Sequence, residues 1–363
     1  MTIDRNVTIL GTGSFLPGAP ISNDDLEKLV GPLPADVLAG LQVQHRHWMI
    51  DPAAGDHHIS NSRMAEAAAR RALEQAGVSP EEVDLIVVST ASPEFHLPTA
   101  GSYVQEHLGL ERCAVIEVRA GCVGAVQALD IAFRQLADGT HTTALVIGTE
   151  AISPILAPSF LGRDPDMVRM RDRLTLYNFG DGAAAVVLRG GGDAEGATRY
   201  GYVNACMGGR RAPGMRVVGG GTDRPIHEQL QRKRLMEITL DASGVAKYGP
   251  QIFVTALREL LDKSGLRLDD VDAVVLPEGN ADYFSREFEE AGLSHADFDS
   301  LQAKIVENLA DVGATGSPAV LLALDAGLAD GRIRPGHTVV LLAIEASRYV
   351  FTGMAVRWPA EIR

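Results

Sequence analysis

One cysteine of the three in this 363-residue chain carries a pattern that can do chemistry. Cys122 follows the apolar run Ala114-Val-Ile-Glu-Val118 and the turn Arg119-Ala-Gly121, and beyond it Val126, Leu129, Phe133 and Leu136 recur on one helical face. That spacing predicts a strand, a tight turn and a buried helix, with the cysteine at the helix N-terminus. Unpaired N–H groups and the macrodipole favour a thiolate there. Gly121 and Gly124 leave the sulfur open to a thioester carbonyl, and a backbone N–H beside it is placed to stabilise a tetrahedral oxyanion. The chemistry implied is covalent acyl transfer. The same local pattern also fits a small buried hydrophobe, the commoner fate of a free cysteine.

The elements that must position this cysteine are repeated. A length of 363 residues suits two domains or one duplicated unit. Residues 72–88 and 260–276 match each other: Gly77 with Gly265, Val83-Asp84 with Val271-Asp272, and Val87 with Val275, an offset of 188 (77 to 265). Each copy reads as an amphipathic helix, a glycine C-cap, an acidic turn and a buried strand. Cys122-Val-Gly124 then corresponds to Ala314-Thr-Gly316, and Asp138-Gly139 to Asp330-Gly331, at 192 (138 to 330). The apolar run 144–148 with Glu150 matches 339–343 with Glu345, at 195 (150 to 345).

Helix and strand thus alternate in both halves, which argues for parallel strands covered on both faces. The expectation is an α/β fold, a five-layer α/β/α/β/α stack of two duplicated halves with a site at their junction. Residues 1–188 form the half carrying Cys122, and residues 236–363 form the second. Residues 189–235, with Gly190-Gly-Gly192, Gly208-Gly209 and Gly219-Gly-Gly221, read as a connecting loop or lid. Residues 153–178, with Pro154, Pro158 and Pro165, read as a second excursion after a strand end.

Composition excludes several classes. Apolar residues make up 46% and charged residues 22%, which rules out disorder, collagen-like repeats and coiled coil. The net charge of −14, from 33 basic and 47 acidic residues, opposes binding to a phosphate backbone, so no nucleic-acid partner is expected. The apolar runs 183–188 and 339–344 are too short to span a bilayer, so no membrane partner is expected either. The opening Met-Thr-Ile-Asp-Arg-Asn lacks the apolar core of a signal peptide. Cys113, Cys122 and Cys206 have no metal-like spacing and suit a reducing cytoplasm, with no metal expected.

The segment Ala-Gly-Cys-Val-Gly between strand and helix resembles the nucleophile motif of β-ketoacyl-acyl carrier protein synthase III, in the thiolase superfamily. Similar motifs run the length of the chain: Val7 to Pro17, Ser92-Pro-Glu with Pro98, Asn178-Phe-Gly-Asp-Gly, and the ending Gly353-Met-Ala-Val-Arg-Trp358. The resemblance implies a homodimer of duplicated halves. It also implies a cysteine loaded from coenzyme A or an acyl carrier protein, with the acyl thioester as substrate and no permanently bound cofactor.

Two departures bear on the chemistry. Where condensing members carry Pro-His-Gln-Ala-Asn, this chain reads Pro277-Glu-Gly-Asn-Ala281, so the resemblance puts Glu278 at the histidine position. Where they carry Gly-Asn-Thr, it reads Gly313-Ala-Thr315, so Ala314 stands at the asparagine position. The glycine triplet closing the family's site resembles Ala346-Ser-Arg348, which makes the Ser347 N–H the second oxyanion donor by that match. Decarboxylative condensation needs two neutral donors to hold an enolate; a glutamate and an alanine do not supply them. Acyl transfer to an oxygen, nitrogen or sulfur nucleophile needs an oxyanion hole and a base, a role open to Glu278. The pattern therefore resembles the non-condensing acyltransferase branch of secondary metabolism, with a small-molecule or carrier acceptor. The alternatives are a condensing enzyme with its acid–base residues elsewhere and a catalytically silent acyl-binding partner subunit. Arg232, Lys233 and Arg234 form a basic cluster suited to an acidic carrier protein, and Arg210 and Arg211 suit a phosphate of the donor; each also reads as ordinary solvated surface. His96 reads as a substitute base or a surface histidine, and Phe160, Tyr177 and Phe351 as contributors to an acyl pocket.

Overall fold

The computed structural model describes residues 6–191, 198–217, 219–231, 238–277, 285–290 and 294–359. Its fourteen described strands are β1 (Val7–Phe15), β2 (Ile21–Ser22), β3 (His45–Arg46), β4 (Leu85–Ser89), β5 (Ala114–Val118), β6 (Thr143–Glu150), β7 (Gly182–Gly190), β8 (Thr198–Cys206), β9 (Met215–Val217), β10 (Ile238–Leu240), β11 (Ala273–Val275), β12 (Ile305–Val306), β13 (Thr338–Glu345) and β14 (Val350–Arg357). Ten of them make two five-stranded sheets, ordered β1-β7-β6-β4-β5 and β8-β14-β13-β11-β12. The second order repeats the first, strand for strand. In each sheet four strands run the same way and only the second, β7 or β14, runs against them, so the parallel expectation holds except around that one strand.

Helices complete five layers. Helix Asn61–Ala76 covers the outer face of the first sheet, and helix Ala242–Ser264 that of the second. Both end on a left-handed glycine, Gly77 and Gly265, the pair read from the repeat. Helices Gly124–Ala137 and Ala319–Ala329 lie between the sheets. A helix in that middle layer packs against a sheet on each side, which is why Val320 to Leu324 are all buried and apolar. Val126, Leu129, Phe133 and Leu136 share their core with Val146 and Val186 of one sheet and Leu341 and Met354 of the other.

Residues 189–235, read from glycine content as a connection, contain β8, an edge strand of the second sheet, together with β9, which pairs with β10. Residues 153–178 form short turns and helix Met170–Asn178. No helix among the described residues is long and apolar enough to cross a membrane.

Candidate active site

Cys122 sits where the spacing places it, at the inner end of β5, with one adjustment. Gly121–Val123 form a 3-10 turn, and the regular helix starts at Gly124. Gly121 has φ 57°, a conformation that a side chain opposes. The cysteine is half-buried and opens onto a narrow cavity of about 60 Å³. Ile152, Ile155, Phe179, Met215, Val217 and Ile238 line its apolar walls; Cys122, Ser92, Glu150 and Glu345 supply the polar groups.

The two buried carboxylates were not assigned to the site from sequence. Glu345 ends β13 and reaches across the junction of the halves. Its Oε2 accepts the Cys122 N–H at 2.7 Å and its Oε1 accepts the Ser347 N–H at 2.8 Å. The two donors expected for an oxyanion therefore do converge, and they converge on a carboxylate. Glu150 ends β6 and mirrors it, accepting from Ala91 N at 2.9 Å, Thr90 Oγ1 at 3.2 Å, Ser317 N at 3.3 Å and the Ser92 hydroxyl. Burial pushes the Glu150 carboxyl above its ordinary value, with hydrogen bonds from Ser92, Ser317, Ala91 and Thr90 pulling the other way.

This symmetry corrects the internal alignment. The pairs Cys122 N–Glu345 and Ser317 N–Glu150 relate Cys122 to Ser317 and Gly121 to Gly316, at 195 (122 to 317), the offset of the strands. Ala314 is not the counterpart of Cys122. Helix Ala319–Ala329 has 11 residues against 14 in Gly124–Ala137, so the offset drops to 192 only at the helix C-terminus. Ser317 also ties the halves together, donating to Gly121 O at 3.0 Å and lying 3.0 Å from Ser89 Oγ.

The other expected residues are dispersed. Ala314 packs beside the 178–180 turn, its N–H donating to Asn178 O at 2.8 Å and its O accepting from Gly180 N at 3.1 Å; its methyl brings no donor. Glu278, Arg232, Lys233 and Arg234 lie outside the described residues. Arg211 donates to Met207 O at 2.7 Å and lies 4.5 Å from the Tyr248 ring centroid, while Arg210 is exposed. Arg348 donates to Gly209 O and Arg211 O and holds this loop beside the Ser347 turn. His96 is exposed and does not line the cavity. Phe160, Tyr177 and Phe351 are core residues, not cavity walls; Tyr177 donates to Gly31 O.

Two family models match the chain, 3-oxoacyl-[acyl-carrier-protein] synthase III over residues 116–205 and its C-terminal part over residues 261–358. A β-ketoacyl-[acyl-carrier-protein] synthase III of Desulfitobacterium hafniense is 31% identical over 93% of both chains. The chain belongs to the 3-oxoacyl-[acyl-carrier-protein] synthase III family. Among solved structures, the Pseudomonas aeruginosa synthase III is 27% identical with a TM-score of 0.78, covering 98% of this chain and 99% of its own. A tetronic acid condensing enzyme is 28% identical with a TM-score of 0.80, covering 97% and 99%. The first family model begins within β5 and spans Cys122, while the second spans Ser317, Glu345 and Ser347. At this level the protein is a synthase III-type enzyme of the thiolase fold. Among the described residues lining its cavity there is no histidine, asparagine or glutamine.

Proposed function

We propose that the protein is an acyltransferase that carries its acyl group on Cys122 and does not condense. The observation that carries this reading is the polar content of the cavity: a thiol, the Ser92 hydroxyl, two carboxyl groups and no neutral imidazole or amide donor among the described lining residues. An enolate generated by loss of carbon dioxide would face the Glu345 carboxylate instead of an imidazole or amide donor, and Ala314 adds none. Acyl transfer makes no such demand. The Cys122 sulfur attacks the thioester carbonyl, the carbon–sulfur bond to the donor breaks, and the donor leaves as a thiol with the cysteine's proton. An oxygen, nitrogen or sulfur acceptor then attacks the acyl carbon, loses its proton to a base, and restores the Cys122 thiol.

The donor in this reading is an acyl-coenzyme A or an acyl group on a carrier protein's phosphopantetheine, and the pathway is polyketide or other secondary metabolism. Similarity to the priming β-ketosynthase of the R1128 polyketide pathway, at 25% identity and a TM-score of 0.78, supports that setting. Glu278 remains a candidate base on its family position. The working unit is a homodimer: β5 is an edge strand, and its Ala114, Val115, Ile116 and Val118 are only half-buried within one chain.

Intact mass after incubation with acetyl- or octanoyl-coenzyme A tests the covalent step. The expected result is a gain of one acyl group on the wild type and none on Cys122→Ala. No gain on any thioester donor favours a silent subunit, and a gain that persists in Cys122→Ala removes the nucleophile.

A further inference from the structure

We infer that Glu345 closes the oxyanion hole of the free enzyme and becomes the base for the acceptor once an acyl group displaces it; this deepens the acyl-transfer reading and rests on it. The starting point is a difference between two symmetry-related carboxylates. Glu150 is held by four donors, three of them from the loop after β4, and none of the four is needed by a reacting group. Glu345 has two partners among the described residues, the N–H groups of Cys122 and Ser347. Those are the donors that a thioester oxygen on Cys122 needs.

The free state is self-consistent. A carboxylate at the start of a helix, on two backbone N–H groups, is satisfied on both oxygens. Gly121 is shaped for it: a Cβ there would overlap Glu345 Oε2 and lie 2.7 Å from its Cδ. When Cys122 is acylated, the carbonyl oxygen of the new thioester competes for both donors. Glu345 must then turn off them, and the cavity it already lines, where the acceptor has to arrive, is open to receive it. A carboxylate freed from its two donors and held in a largely apolar cavity is a stronger base than one bonded to them. The balance of the second step is simple: the acceptor's proton passes to Glu345, its lone pair forms the new bond to the acyl carbon, and the bond to Cys122 breaks. The proton on Glu345 then returns to the Cys122 sulfur as the carboxylate regains its two N–H partners.

The test is rapid-quench intact mass on wild type and Glu345→Gln, with octanoyl- or acetyl-coenzyme A as donor and N-acetylcysteamine as acceptor. The expected result is loading within about threefold of wild type and discharge slower by about a hundredfold, so that acyl-Cys122 accumulates, with Glu345→Asp recovering part of the discharge rate. Discharge at the wild-type rate, or loading and discharge falling together, overturns the inference. A second measurement keeps the native glutamate: a crystal structure of Cys122→Ser trapped as the octanoyl ester. The ester oxygen is expected on the N–H groups of positions 122 and 347, with Glu345 turned into the cavity. Glu345 still holding both N–H groups overturns it. A wild type that takes no acyl group from either donor, or that loads and then extends malonyl units, removes the acyl-transfer reading itself and the inference with it.

Discussion

The chemistry of the site is set by Cys122, Glu150 and Glu345, each of which has one hydrogen-bond partner in the opposite half of the fold. Gly121 is the tightest constraint. Its φ of 57° costs an alanine about 1–2 kcal/mol, and the added Cβ would overlap the Glu345 carboxylate. Gly121→Ala is expected to lower the melting temperature and, by distorting the turn that positions Cys122, slow acyl loading at least tenfold, read by thermal unfolding and mass spectrometry; unchanged loading would show that this turn does not set the position of Cys122. Glu150 makes a prediction in pH. Burial raises its carboxyl above the ordinary 4.5, so the folded state holds the proton more tightly than the unfolded chain. Its contribution to stability is fully present below that ordinary value and is lost as pH rises through the raised one. Glu150→Gln does not titrate, so wild-type stability relative to this variant should fall as pH rises above the ordinary carboxyl value in calorimetric scans; a constant difference would contradict the upward shift.

The elements explain what the sequence disclosed and what it hid. The strand, turn and helix around Cys122 were legible because an apolar run, a glycine and a 3.6-residue period are all local signals. The duplication was legible from Gly77 and Gly265 and from the paired strands. The counterpart of Cys122 was misplaced by three residues because Gly124 and Gly316 match as letters, while the shorter helix Ala319–Ala329 shifts the true register to Ser317. Glu150 and Glu345 were visible as repeated acids ending buried strands, yet a strand-end acid alone reads as solvated. Each takes one backbone N–H from the other half, over 167 and 223 residues of separation, a contact no local pattern shows. β8 was hidden inside a glycine-rich stretch because its partner β14 lies at the end of the chain. Contact between the halves has its own test. A Cβ on Gly148 would lie 2.8 Å from the Pro318 Cα and the Ser317 carbonyl oxygen. Gly148→Ala is expected to destabilise by about 1–3 kcal/mol and to slow acyl loading through Ser317, whose hydroxyl holds Gly121 O. Denaturant unfolding with a loading assay measures both.

At the scale of the whole molecule, two similar sheets and their shared middle helices make one body, and the site exists only where they meet. The half-exposed edge β5 leads directly into Cys122, so association through it would brace the nucleophile turn. Light scattering should give a mass twice 38.6 kDa; a single-chain mass at micromolar concentration would contradict the dimer. The family's name denotes condensation, and the claim that separates this chain from that name is the loss of enolate stabilisation at an intact acyl-carrying cysteine. The most direct measurement follows octanoyl- or acetyl-loaded enzyme after addition of malonyl-carrier protein, with carbon dioxide release and chain-extended product recorded together. The expected result is acyl-Cys122 with neither carbon dioxide nor a β-keto product, and discharge only to oxygen, nitrogen or sulfur nucleophiles. Stoichiometric carbon dioxide with a product two carbons longer would contradict it.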